Sequence, residues 1–313
     1  MSEPVPTTTP ADHTLDRKPD RKPFIIDSHH HLWDVTSAHD YSWLRGLDGI
    51  DRSFLPAEFQ ETLRQSGVDA AILVQTIHSL DETRDFLQFA AETPEIAGVV
   101  GWVDLTSPQV AAQIADLKAG PHGEYLVGIR HLVHNEDDPN WLLQDSVYRG
   151  MHALADAGLT YDLLLRTREL PSAITVANDF PHLKFVIDHI AKPPIASGER
   201  EPWATHMREF AAMEHVSCKL SGMVTEADHA AWTPEDLKPY VATVWEIFGP
   251  DRLMYGSDWP VCLLAAEYRE VIGALRTVLD ELGVLDAASE ASIFAGTAAR
   301  WYGLDLEALR DRA

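Results

Sequence analysis

Eight short apolar runs, each followed by a stretch of helical spacing, constrain this chain more than any other feature. Phe24-Ile25-Ile26 comes first, and further runs occupy residues 70–74, 99–103, 126–129, 159–165, 185–187, 216–220 and 253–255. They recur at roughly 25 to 45 residues, and their near-continuous apolar character is what strands covered on both faces show. Ser107-Pro108 opens a helical segment that places Val110, Ile114 and Leu117 on one face before Gly120 closes it. Thr233-Pro234-Glu235 opens another, apolar at Leu237, Val241, Val244 and Phe248. A third runs from about Leu263 through Val271, Leu275, Val278 and Leu282 to Gly283. Eight strand-helix units with no break in composition predict a single α/β domain, a (β/α)8 TIM barrel over residues 23–313. An open doubly wound sheet is the competing architecture, but no Gly-rich phosphate loop follows the first run.

With 313 residues, 45% hydrophobic content and nine tryptophans, the chain can bury a core of that size. Residues 1–22 are rich in Pro, Thr and charge and lack the apolar stretch of a signal peptide, so they read as a disordered leader. No segment reaches the ~18 uninterrupted apolar residues of a membrane helix. A formal charge of −24, from 49 acidic against 25 basic residues, argues against nucleic acid or an anionic membrane as partner, since both need clustered Lys and Arg. Cys218 and Cys262 lie far apart and support neither a disulfide framework nor a Cys-rich zinc site, which fits a reducing cytoplasm. Nothing in the sequence speaks to oligomeric state.

In such a barrel the reactive groups gather just past the carboxyl ends of the strands. The first run leads into Asp27-Ser28-His29-His30-His31, where alternation throws His29 and His31 to one side and His30 to the other. Two imidazoles on one rigid strand end can coordinate a divalent ion or hold a reacting carbonyl. The later runs end in Gln75-Thr76, Asp104, Arg130-His131, Arg166 (with Tyr161-Asp162 early in that run), Asp188-His189, Lys219-Ser221 and Ser257-Asp258. Of Asp188 and His189 only one should face the barrel axis in an extended strand, and His189 is the choice. Asp258 could be a helix N-cap, but its place after the eighth strand favours a catalytic carboxylate. Arg130, a guanidinium near a strand end, can bind a carboxylate of the protein as readily as one of the substrate. Trp33, Trp43, Trp102 and Trp259 near the strand ends suit the apolar faces of a sugar ring, with Gln75, Tyr161 and Lys192 as further positioning groups.

Six blocks in order then carry a resemblance: IIDSHHHLWD, GIRHLVHNEDDPNWL, VIDHIAKPPI, CKLSGM, LMYGSDWPV and FAGTAARWYGL. Together they resemble the amidohydrolase superfamily, in particular its L-fuconolactonase-like lactonase branch. Two positions depart from the pattern, Ala191 where glycine is expected and Thr297 where asparagine is usual, and neither is a proposed catalytic group. The resemblance implies a (β/α)8 barrel that hydrolyses a lactone. It assigns His29 and His31 to the first strand's pair, His189 to the sixth strand's histidine and Asp258 to the eighth strand's carboxylate. Members with two metals bridge them with a lysine on the fourth strand and add a histidine on the fifth. Arg130 and the histidine-free fifth run imply that no binuclear site forms here. Either no metal or one zinc on His29, His31, His189 and Asp258 is implied.

Lactone hydrolysis needs an activated water, a stabilised carbonyl oxygen and a proton for the departing alkoxide. Asp258 is the expected general base, with His29, His31, His189 and Arg130 at the carbonyl. A neutral sugar lactone such as L-fuconolactone or L-rhamnonolactone fits an acidic chain better than a muconolactone or pyrone dicarboxylate, which would want more cations. A zinc-dependent decarboxylase of an aromatic or unsaturated acid is the rival activity.

Overall fold

In the computed structural model, which describes residues 22–312, eight parallel strands follow one another in sequence order around a barrel. They are β1 (Ile26–His30), β2 (Ala70–Val74), β3 (Ile96–Gly101), β4 (Leu126–His131), β5 (Thr160–Leu163), β6 (Phe185–Ile187), β7 (Val216–Leu220) and β8 (Leu253–Tyr255). Helices α1 (Pro56–Ser66), α2 (Leu80–Glu92), α3 (Val110–Ala119), α4 (Asp145–Ala157), α5 (Leu170–Asp179), α6 (Trp203–Arg208), α7 (Pro234–Phe248) and α8 (Tyr268–Glu281) alternate with them. The (β/α)8 expectation therefore holds. All but residue 22 of the leader expected at 1–22 lies outside the described residues. None of the described helices is long and apolar enough to cross a membrane.

Strand alternation sorts the side chains into two layers. Leu73, Val99, Ile129, Tyr161, Leu163, Phe185, Cys218, Leu220 and Tyr255 face the helices. Ile26, Ile72, Val74, Val100, Val186 and Met254 fill the barrel interior. Beyond β8 come α9 (Ala287–Ala291) and α10 (Thr297–Tyr302), and α10 brings Ala298, Ala299 and Tyr302 against that inner cluster.

The helix termini follow their local chemistry. Thr233 and Asp236 form a capping box around Pro234, so α7 starts where the sequence places it. The third anticipated helix begins later than about Leu263. Val261–Leu264 form a separate 3-10 turn, and α8 starts at Tyr268 behind the Glu267–Glu270 capping box.

Two local features shape the carboxyl rim and set the direction of its side chains. The pairing of β1 with β2 slips between Asp27 and His30, one extra residue on β1. This bulge allows Ile26 and His29 both to face inward. The barrel closes past the end of β8, where Asp258 N–H donates to the His29 carbonyl at 2.8 Å and His31 N–H donates to the Trp259 carbonyl at 2.7 Å. The backbones carrying the histidine pair and the carboxylate are thus hydrogen-bonded neighbours.

Candidate active site

His29 and His31 project inward from β1 with their Nε2 atoms 3.2 Å apart, while His30 points outward and stacks on Phe59. His31 Nδ1 lies 2.8 Å from the Val74 carbonyl, a contact that an N–H on Nδ1 satisfies. Asp258 faces this pair. Its Oδ1 is 3.4 Å from His31 Nε2, 3.8 Å from His29 Nε2 and 3.7 Å from His189 Nε2. Three imidazoles and one carboxylate from three separated strand ends meet at one point, nearly out of contact with solvent.

His189 arrives by an unusual route. β6 stops at Ile187, and residues 189–192 then adopt left-handed backbone conformations, with φ of 54°, 48°, 59° and 46°. None is a glycine, and L-residues reach this region at a cost of about 1–2 kcal/mol each. The turn brings the His189 ring beside His29, with centroids 4.4 Å apart, and its Nδ1 within 2.8 Å of Ser221 Oγ. Room for the ring exists because Gly222 has no side chain; a Cβ there would stand 2.5 Å from His189 Nδ1.

The turn also corrects the reading of Asp188 and His189 as alternatives. Asp188 faces the axis in strand geometry, and the chain then coils left-handed and returns His189 to the same side. Asp188 sits 3.3 Å from His29 Nδ1 and accepts from Arg130 Nη1 at 3.1 Å.

Beneath the imidazoles lies a buried ionic chain across the barrel. Arg130 donates to Gln75 Oε1 at 3.0 Å, to the Gln75 carbonyl and to Asp188. Lys219 Nζ lies 2.7 Å from Asp162, 3.0 Å from Asp188 and 3.1 Å from His29 Nδ1. Tyr302 from α10 donates to Asp162 at 2.6 Å. Lys219, Asp162 and Asp188 are completely buried. Burial holds the His29 imidazole well below its usual pKa, outweighing Asp188 and helped by Lys219, so His29 is neutral at working pH. Burial likewise pushes Asp258 toward protonation, but His189 and His31 overcome it and keep the carboxyl below its ordinary value.

A second carboxylate supports the rim from outside. Asp27 accepts from Ser257 N–H at 2.8 Å, Ser257 Oγ at 2.6 Å and Tyr268 at 2.8 Å, fixing the segment before Asp258 to β1 and α8. Burial raises this carboxyl to about 6 against those hydrogen bonds.

The site opens into a cavity of about 720 Å³, whose floor includes His31, Arg130, His189 and Asp258. Lys192 is in its wall, with Nζ 2.8 Å from Glu226. The other anticipated contacts lie elsewhere. Gln75 is buried behind Arg130 and holds it. Trp33 is fully enclosed, its indole N–H on the Arg52 carbonyl at 2.6 Å, and Trp259 packs between Phe59 and Phe54. Tyr161 points outward from β5 into the helix-facing core, because alternation gives the inward place to Asp162. Trp102 stands behind His78, stacked on it at 5.5 Å. Of the four tryptophans expected near the strand ends, Trp43, on the loop after β1, is the one that lines the cavity. His78 and His134 also line the cavity from loops whose sequence carries no periodic signal.

His29, His189 and Asp258 present ligand atoms all within 4.8 Å of one another. Nitrogen and oxygen donors at that spacing fit one divalent ion. Arg130 Nη1, 3.1 Å from His29 Nε2, competes for the same lone pair.

Comparison with known proteins matches residues 26–304 to the family described as Amidohydrolase. The L-fucono-1,5-lactonase of Burkholderia ambifaria is 38% identical over 286 residues, covering 90% of this chain and 96% of that one. An amidohydrolase from Burkholderia multivorans, solved with bound HEPES, is 36% identical with a TM-score of 0.83, covering 90% of this chain and all of that one. A second crystal form of it, with bound zinc, superposes with a TM-score of 0.82, again at 36% identity and with the same coverage of 90% and 100%.

Proposed function

The chain belongs to the amidohydrolase family, and from that premise we propose that it hydrolyses the ester bond of a sugar-derived lactone, of the L-fuconolactone or L-rhamnonolactone type. The observation that carries the reading is the Asp258 carboxylate set among the Nε2 atoms of His29, His31 and His189 on a cavity floor. Asp258 Oδ1 stands 3.4 Å from His31 Nε2 on the cavity floor, where a water can donate to the carboxylate. Asp258, held ionised, takes a proton from that water as it attacks the lactone carbonyl and returns it to the ring oxygen as the ester bond breaks. His189, its Nδ1 tied to Ser221, presents Nε2 toward the carbonyl oxygen, and Arg130 adds positive charge on the same side; one such donor is worth about 3 kcal/mol of barrier. His29, Gln75 and Asp188 keep these groups in register rather than exchanging protons. Bound on His29, His189 and Asp258, a single zinc would supply Lewis acidity for the carbonyl and a lowered pKa for water.

Charge in the cavity supports a neutral substrate. Each cation in the wall already faces a carboxylate, Arg130 with Asp188 at 3.1 Å and Lys192 with Glu226 at 2.8 Å. Asp40 and Glu136 add negative charge to the same wall. A dicarboxylate lactone would enter against that field, whereas hydroxyl groups find acceptors there. A pH-indicator assay on a panel of sugar lactones, run with chelator and with zinc added back, tests the reading. The expected result is turnover of a neutral aldonolactone that falls at least about 1,000-fold in Asp258→Asn while product binding stays measurable. Turnover of no sugar lactone, or a near-normal Asp258→Asn, refutes it.

A further inference from the structure

His134 lies in the single turn Val133–Asn135 that follows β4, and its backbone N–H donates to the Leu164 carbonyl at 3.2 Å. That bond fixes the turn to the end of β5 and sets the imidazole in the cavity wall with Lys192 and Leu164. The ring is only half used. Nδ1 is buried and has no hydrogen-bond partner among the described residues. Nε2 is therefore the ring atom left to the cavity.

Orphaned buried N–H groups are rarer than under-satisfied acceptors, so the favoured tautomer buries the Nδ1 lone pair and carries its proton on Nε2. Burial, with Lys192, Arg166 and Arg130 nearby, pushes the imidazole down to about 3, so it stays neutral through the working range. The result is a rigid, uncharged donor facing the substrate space. Lys192 is joined to His189 through the left-handed turn and braced by Glu226, which gives His134 a fixed neighbour in the same wall.

We propose that His134 is a specificity-determining residue, donating from Nε2 to a ring hydroxyl oxygen of the lactone. This rests on the lactonase reading and adds how the site tells a polyhydroxy lactone from a bare one. A neutral donor offers a carboxylate no ionic attraction, and an apolar isostere has nothing to give a hydroxyl. The selectivity therefore follows the hydrogen bond.

The test compares kcat/KM on L-fucono-1,5-lactone and on δ-valerolactone, which has the ester but no ring hydroxyl, in wild type and His134→Phe. The ratio of the two values is expected to fall about tenfold, mainly through KM on the hydroxylated lactone, and His134→Gln, which retains an N–H donor, should recover part of it. The melting temperature of His134→Phe should not fall, because the substitution removes an unpartnered buried nitrogen. An equal loss on both lactones with a lowered melting temperature would make His134 a structural residue and overturn the proposal, and so would an unchanged ratio. His134→Leu gives the same reading should the phenylalanine variant not fold. If the wild type hydrolyses neither these two lactones nor any other sugar lactone of the panel, the lactonase reading itself fails; if it hydrolyses both and the ratio stays put, only the role of His134 does.

Discussion

Lys219→Met is the sharpest probe of the ionic chain beneath the site. The ammonium lies 2.7 Å from Asp162 and 3.0 Å from Asp188, with all three side chains fully buried. At an effective dielectric of about 20 these contacts are worth about 6 and about 5.5 kcal/mol, most of it offset by the desolvation of three charges. Removing the cation leaves two carboxylates with one remaining guanidinium. Asp188 keeps Arg130 at 3.1 Å, and there Lys219, His29 and Arg130 overcome burial and hold the carboxyl well below the usual range. Among the described residues Asp162 has no second cation, and burial already raises it against the pull of Lys219. The variant therefore relieves itself by protonating Asp162, which can still accept from Tyr302.

That escape sets the size of the effect. Holding a proton on an ordinary carboxyl at pH 7 costs about 4 kcal/mol, about three pH units at about 1.4 kcal/mol each. The sign is fixed by linkage. Asp162 in the variant has a folded pKa raised above its unfolded value, so the loss is small below about pH 4 and grows as pH rises. Urea unfolding followed by tryptophan fluorescence should show Lys219→Met destabilised by at most about 4 kcal/mol at pH 7 and at most about 1.5 kcal/mol at pH 5, because the Asp162 carboxyl is already raised in the wild type. Adding Asp162→Asn should flatten that dependence. A deficit that is the same at both pH values, or larger at pH 5, would show that Lys219 does not act through these carboxylates.

Two further substitutions probe the surroundings. Gly222→Ala places a Cβ 2.5 Å from His189 Nδ1 and should lower kcat about 100-fold by displacing that ring; wild-type kcat in a folded variant would remove His189 from the mechanism. His131 is held down to about 4, chiefly by burial, so its stabilising contribution, up to about 3 kcal/mol, is present above about pH 6.5 and lost as pH falls through about 4. His131→Gln should accordingly narrow the gap in unfolding free energy between pH 7 and pH 4.5, and an unaltered gap would contradict the assignment.

What could be read from the sequence depended on whether local periodicity survived folding. The eight strands were legible because each is covered on both faces and so is apolar throughout. His29 and His31 were legible because alternation holds from residue 29 onward, although the bulge that turns them inward left no mark in the sequence. Asp188 was set aside by the same alternation, which lapses where the backbone becomes left-handed. Asp162 and Lys219 stood out as charges inside apolar runs, but their pairing needs the barrel to close. Loop tryptophans were the least readable. Trp33 and Trp43 are ten residues apart, yet only the second reaches the cavity, a difference fixed by tertiary packing around Phe54.

Backbone strain indicates which of these groups the fold was bent to position. Five non-glycine residues at the rim, His189, Ile190, Ala191, Lys192 and Asp258, have φ near +50° to +60°, together about 5–10 kcal/mol of unfavourable conformation. Closing a parallel barrel does not require this. β5 runs on from Leu163 through a buried Leu164 and Leu165 with no left-handed residue before α5. The strain falls on the two elements whose side chains face each other at 3.7 Å, His189 and Asp258, and the contact that would obstruct them is relieved by a glycine at residue 222. Strain of this size persists only where surrounding contacts over-determine it. Here those contacts are Ser221 on the His189 ring, Asp27 on Ser257 and the His29 carbonyl on the Asp258 N–H. Loosening any of them should therefore cost turnover before it costs the fold, because the barrel would relax toward ordinary backbone and carry the two reacting groups apart.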